Sequence, residues 1–128
     1  AIKKIQATEQ TSQTIVSIEK DSSGFANLVF PYNKMQTWGY LGWALDELAV
    51  DIEDRDNLSG SYYINVPLNK GLFARLLSTS SDTVTYKLLV KQVNEIYSHV
   101  IISELSGQDE QKTIDFSFEL FEKIASKF

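Results

Sequence analysis

The stretch from Asn33 to Val66 limits the fold more than any other part of the chain. In Lys34 to Ala49, KMQTWGYLGWALDELA, residues Met35, Trp38, Leu41, Leu45 and Leu48 recur at steps of three or four. That spacing lines one face of an α-helix, which turns once in about 3.6 residues. Asn33 stands where its side-chain oxygen can accept a bond from a free N–H of the first turn. At 16 residues such a helix is about 24 Å long, enough to cross a small sheet. Val50 to Asp54 then alternates with period two, as a half-buried strand does. Asp56-Asn57 and Ser59-Gly60 are turn residues. Tyr62, Ile64 and Val66 alternate with Ser61, Tyr63 and Asn65 in a second strand. Together these segments predict a small α+β domain.

The flanking segments extend the pattern. Residues 6–14, QATEQTSQT, are polar and linker-like. Ile15, Val16 and Ile18 form either a short extra strand or part of an ordered tail. Asp21-Ser22-Ser23-Gly24 is a turn cluster, and it divides an N-terminal linker or tail, 1–23, from a domain, 24–128. Phe25 to Phe30 reads as the first strand, stopped by Pro31, which cannot donate to a ladder. After the central helix and hairpin, Pro67 to Gly71 breaks the chain. Leu72 to Leu77 is one helical turn or an apolar loop, and Ser78 to Asp82 is loop. Thr83 to Val93 is a strand with Val84, Tyr86, Leu88 and Val90 on one side. Asn94-Glu95 connects it to Ile96–Leu105, where Ser98, Val100 and Ile102 oppose Tyr97, His99 and Ile101. Ser106 to Asp109 turns the chain and caps a last helix from about Glu110. Its apolar face is read as Ile114, Phe118, Phe121, Ala125 and Phe128, widened by Leu120 and Ile124. The order is β-α-β-β-β-β-α. A mainly antiparallel sheet wrapped around two helices, the helix-grip arrangement, gives each element a place to bury its apolar side.

Composition narrows the function. A chain of 128 residues that is 43% apolar is one globular domain by default. Its net charge of −5 argues against an extended phosphate-binding face, so nucleic acid is not an expected partner. The absence of cysteine removes disulfides, thiol nucleophiles and cysteine-ligated metals. No apolar run reaches the ~20 residues of a membrane span. A chain opening on Ala1 is read as a processed form or a cut fragment.

No catalytic arrangement emerges. His99 is the sole histidine, and Ser98 beside it points to the opposite sheet face, so the two cannot form a nucleophile–base pair. One histidine without cysteine is a poor zinc donor set, and no cofactor or metal is expected. The acidic run Asp46, Glu47, Asp51, Glu53, Asp54, Asp56 offers an acid/base pair or hard calcium ligands. It lacks the EF-hand loop spacing, and the preferred reading is a solvated surface interrupted by Arg55. Strand alternation is expected to put Asp51 and Glu53 on one open face, apart from Ile52 and Asp54. Gly39 and Gly42 lie inside the helix, not after a strand, so they cannot cradle phosphate. They are read as sites of close approach, by a strand of the sheet for instance. Tyr40 and Trp43 fall off the Trp38/Leu41/Leu45/Leu48 stripe, with Trp43 about 140° around from Trp38. They are candidate protein-binding anchors, unless the sheet or the tail covers them. Tyr63, on the outer strand face, is a third.

From Asp21 to Val66 the chain resembles the C-terminal domain of the BamC (NlpB) family, lipoproteins of the bacterial outer-membrane β-barrel assembly machine. The shared pattern is a turn, a short strand with Leu28-Val29, an aromatic near Tyr32, then Trp38, Leu41, Ala44 and Leu45 on a helix. A short polar strand, the Ser59-Gly60 turn and an alternating strand follow. Tyr86-Lys87-Leu88 and a terminal helix closing with Phe121 and Ser126-Lys127 extend the likeness over about 105 residues, Gly24 to Phe128. The resemblance implies a helix-grip domain with no enzymatic activity and no cofactor. It implies an accessory, protein-binding role in inserting β-barrel proteins, with other subunits of the assembly machine as partners. The implied location is the periplasmic side of the outer membrane, with cell-surface exposure as the other arrangement. The family has two such domains and a lipidated N-terminal cysteine. This sequence has one such domain and no cysteine, and is read as a fragment of a lipid-anchored protein or a single-domain relative. A second reading is a small-molecule carrier with a pocket between the terminal helix and the sheet. Phe118, Phe121 and Phe128 are expected to fill that space. A third, a hydrolase, needs two carboxylates of the acidic run in one cleft.

Overall fold

The computed structural model describes residues 15–67, 83–105 and 109–128. The 6–14 linker, the Leu72–Leu77 segment, the Ser78–Asp82 loop and residues 106–108 of the last turn lie outside them. Among the described residues there are six strands and two helices: β1 (Ser17–Lys20), β2 (Ala26–Phe30), α1 (Lys34–Glu47), β3 (Asp51–Asp56), β4 (Ser61–Pro67), β5 (Thr83–Gln92), β6 (Ser98–Glu104) and α2 (Glu110–Ala125). The fold is α+β, an open antiparallel sheet in the order β1-β2-β6-β5-β4-β3 with two helices on it.

The topology follows from α1. From β2 to β3 the sheet spans four strand spacings, about 19 Å. With 14 residues, α1 is about 21 Å long, so it carries the chain across the sheet. The meander β3-β4-β5-β6 then returns to β2, each strand beside the one before it. Asn33 caps the start of α1, its side chain accepting from Gln36 N–H at 2.9 Å. The far end is a Schellman closure. Ala49 N–H bonds to Asp46 O at 3.1 Å and Val50 N–H to Leu45 O at 3.0 Å, with Ala49 left-handed at φ 58. Val50 and Leu45 are both buried, which supplies the apolar contact this motif uses.

The extra strand at the front is the outcome of the two readings offered for Ile15 to Ile18. It lies slightly later, at Ser17–Lys20, and pairs with β2 from Ser17↔Val29 to Lys20↔Ala26. Asp21 closes this hairpin, accepting from Ser23 N–H, Ser23 Oγ–H and Phe25 N–H at 2.9 to 3.0 Å. Gly24 supplies the positive φ of 95 that the turn requires.

One core lies between the helices and the inner sheet face. Leu28, Phe30, Tyr62, Ile64, Leu88, Val90 and Val100 enter it from the strands, and Leu41, Leu45, Leu120, Phe121 and Ile124 from the helices. Two helix faces differ from the sequence reading. Met35 is 83% exposed. The buried side of α1 centres on Leu41, and six positions back is about 120° around the helix. On α2 the buried side is Thr113, Phe116, Ser117, Leu120, Phe121 and Ile124, with Ile114, Phe118 and Ala125 half-buried and Phe128 exposed. Two small hydroxyl residues fit this face because their bonds are made locally. Thr113 donates to Asp109 O at 3.2 Å, and Ser117 donates to Ile114 O at 2.6 Å while accepting from Ala26 N–H at 3.3 Å. Phe116 fills the position assigned to Phe118, stacking on Tyr86 with centroids 4.5 Å apart.

Candidate functional site

The two helices present different outer faces. Away from the sheet, α2 shows Gln111, Lys112, Asp115 and Glu122, as a surface helix does. Away from the sheet, α1 shows Met35, Gly39, Tyr40 and Trp43 beside Gln36, Asp46 and Glu47. A helix that exposes large apolar side chains opposite its buried face has a second surface available for contact.

That face is shaped. Tyr40 is 41% and Trp43 47% exposed, so neither is covered by the sheet, and both rest on Phe128. The Trp43 and Tyr40 rings lie 5.6 and 6.0 Å from that of Phe128, which reaches Phe30 at 5.3 Å. Tyr32 supports Tyr40 from behind at 4.8 Å. Met35, Gly39, Tyr40, Trp43, Lys127 and Phe128 line an open hollow of about 700 Å³. A smaller one, about 370 Å³, lies on the other side of Met35, against Trp38, Asn57, Leu58 and Gly60. Met35 is therefore a ridge between two apolar depressions. Gly39 makes the floor of the larger, where an added Cβ would meet nothing within 4 Å.

Below this face α1 is pinned to β4. Trp38 stacks on Tyr62 with centroids 4.9 Å apart and planes 12° apart, and its Nε1–H donates to Ser61 O at 3.2 Å. The Tyr62 hydroxyl donates to Trp38 O at 2.6 Å. A Cβ on Gly42 would press into this phenol, whose Cζ would then be 2.9 Å away. Close approach is thus the role of Gly42, made by a strand as the sequence reading had it, and not of Gly39. Burial pushes the Tyr62 hydroxyl up to about 12, opposed by the nearby Arg55 guanidinium. Arg55 lies 5.8 Å from the Tyr62 ring and bonds Asp46 at 2.8 Å.

The other residues singled out lie elsewhere. Tyr63 is half-buried on the outer sheet face, with Lys87 Nζ 5.8 Å from its ring, so Tyr40 and Trp43 come together and Tyr63 does not join them. His99 lies on that same outer face, across from Val29 and Lys91. Ser98 turns inward and donates to Tyr32 O at 2.8 Å. Within the acidic run, a bulge between Ile52 and Asp54 resets the alternation. Asp54 then pairs across from Tyr63 and shares the outer side with Asp51, not the side of Ile52. Asp56 closes the β3–β4 turn. The Ser59 hydroxyl, with the Ser59 and Leu58 N–H groups, holds its carboxyl below the usual range. Among the described residues no three His, Asp or Glu side chains gather as metal ligands, and no helix is long and apolar enough to cross a membrane.

Sequence reasoning put Tyr40 and Trp43 off the buried stripe of α1, where they are exposed, and did not expect Met35, Leu58 and Phe128 to be exposed beside them. Helical spacing had placed Met35 and Phe128 in the core. Leu58 was legible as a lone large apolar residue inside a turn of Asp, Asn, Ser and Gly. No protein-family model matches the chain, and no curated protein matches it.

Proposed function

We propose that the chain is a non-catalytic protein-interaction domain of an accessory lipoprotein in the outer-membrane β-barrel assembly complex. It docks other subunits through the outer face of α1 on the periplasmic side of the outer membrane, and a lipid anchor holds the full-length protein there. The observation that carries the docking role is that the outer face of α1 exposes Met35, Tyr40 and Trp43, with Tyr40 and Trp43 in ring contact with a half-exposed Phe128. Rigid aromatics beside a hollow are the usual anchors of protein interfaces, because they present large apolar area at low entropic cost. The link to this particular complex rests on the residue pattern that resembles the BamC family. The space between α2 and the sheet is filled by Phe116, Leu120, Phe121 and Ile124, each at most 8% exposed. That leaves the carrier reading without support.

The test is capture of assembly subunits from detergent-solubilised outer membranes by the parent domain and by a Tyr40→Ala/Trp43→Ala variant shown to be folded by circular dichroism. Capture by the parent and at least tenfold less by the variant is expected. Equal capture removes the α1 site and keeps the complex. Capture by neither overturns membership for this domain.

A further inference from the structure

We propose that the occupant of the α1 face in the isolated domain is a second copy of the same chain, its α1 packed antiparallel about a two-fold axis at Gly39. The proposal rests on reading this face as a docking surface and adds what fills it. Three observations point to a copy of itself. The first is spacing. Met35 and Trp43 lie four residues before and after Gly39, each about 6 Å along the axis and on nearly the same side. A two-fold at Gly39 lays Met35 of each copy on Trp43 of the other, a thioether-on-aromatic contact made twice. Between them the backbones can approach at Gly39, where no side chain intervenes and an added Cβ has open space.

The second is charge. No acidic residue lies in the first turn of α1 and no basic one in its last. Lys34 begins the helix and Asp46 and Glu47 end it, the reverse of what its own dipole favours. Asp46 is paired with Arg55 of its own chain at 2.8 Å, which leaves Glu47; an antiparallel copy sets that acidic end against the other's N-terminal end, where the dipole favours it. The third is area. Met35, Tyr40, Trp43, Leu58 and Phe128 are 41 to 92% exposed, which at about 150–250 Å² for a full aromatic side chain leaves roughly 600 Å² of apolar surface. That is at the upper end for an uncovered patch on a monomer and, with a polar rim, reaches the about 800 Å² per partner of a stable interface.

The absence of cysteine makes the geometry directly testable. Sedimentation equilibrium of the purified domain should give concentration-dependent association toward twice the monomer mass. Met35→Glu, at a position that is solvent-exposed in the single chain, should weaken it at least tenfold. Under mild oxidation Gly39→Cys should form an intermolecular disulfide at least tenfold faster than Leu58→Cys, because only residues near the two-fold bring their Cα atoms within about 7 Å. A parent that stays monomeric at its highest attainable concentration overturns the self-association. An associating parent whose Gly39→Cys variant crosslinks no faster than Leu58→Cys overturns the α1 geometry. Neither outcome touches the subunit capture described above, so failure of the second copy and failure of the docking face are told apart.

Discussion

At the scale of single residues, the two helical glycines make opposite demands. The Gly42 hydrogen is the only group that fits under the Tyr62 phenol. Gly42→Ala must displace that ring from Trp38 or spread α1 from β4, and it should cost about 2 kcal/mol or more. Gly39→Ala enters open space in an exposed helix interior and should stabilise by up to about 1 kcal/mol. Urea unfolding of the two variants checks both signs. Tyr62 itself sets an alkaline limit. Its folded pKa of about 12 stands above the ordinary value near 10. The unfolded chain therefore loses this proton first, and stability present below pH 10 falls as pH rises toward 12. Tyr62→Phe should flatten that part of the stability–pH curve while costing about 1 kcal/mol for the lost bond to Trp38 O. Asp21 and Asp56 set an acid limit of the opposite sense. Ser23 and Ser59 hydroxyls, with backbone N–H groups, hold both carboxyls below the ordinary aspartate value of 3.8. The stability they lend is complete above that value and is lost as pH falls through the lower folded values. Asp56→Asn should lessen the fall in urea midpoint between pH 4 and pH 2.

At the scale of elements, the weakest local geometry is the end of α1. Ala49 takes the left-handed position of a Schellman closure, where a Cβ costs about 1–2 kcal/mol. Glycine there gives back part of that gain through its greater freedom in the unfolded chain. Ala49→Gly should therefore raise stability by roughly 0.5–1 kcal/mol, read as a shift of the urea midpoint at constant slope. How far the elements were legible depended on what decides each one. Strands β4, β5 and β6 and both N-caps were readable, because period two and a single Asn or Asp before an apolar run are local signals. The buried side of α2 was not, because Thr113 and Ser117 look polar in sequence and become core residues only after bonding within their own turn. The faces of β3 were not either. A bulge at one residue inverts the alternation beyond it, and nothing in DIEDRD marks where it falls. Of the candidate site, Tyr40 and Trp43 could be seen from their angle on the helix. Phe128 could not, since its contact with them depends on how α2 lies beside α1.

At the scale of the molecule, among the described residues one sheet edge is guarded and one helix face is left open. The exposed edge strand β3 carries Asp51, Glu53, Asp54 and a bulge, devices that discourage strand-to-strand pairing. The face of α1 has no such guard. Its apolar side chains are braced by aromatic contacts and flanked by hollows, and its central residue is the smallest available. Among the described residues, nothing covers Met35, Tyr40 and Trp43 on this face. Gly39→Lys addresses that claim without removing any contact inside the chain, because the new side chain projects from the floor of the larger hollow. The measurement is capture of assembly subunits from solubilised outer membranes by folded Gly39→Lys beside the parent. The account predicts a variant at least as stable as the parent that captures at least tenfold less. Undiminished capture by a folded Gly39→Lys contradicts the claim that the outer face of α1 is where this domain binds.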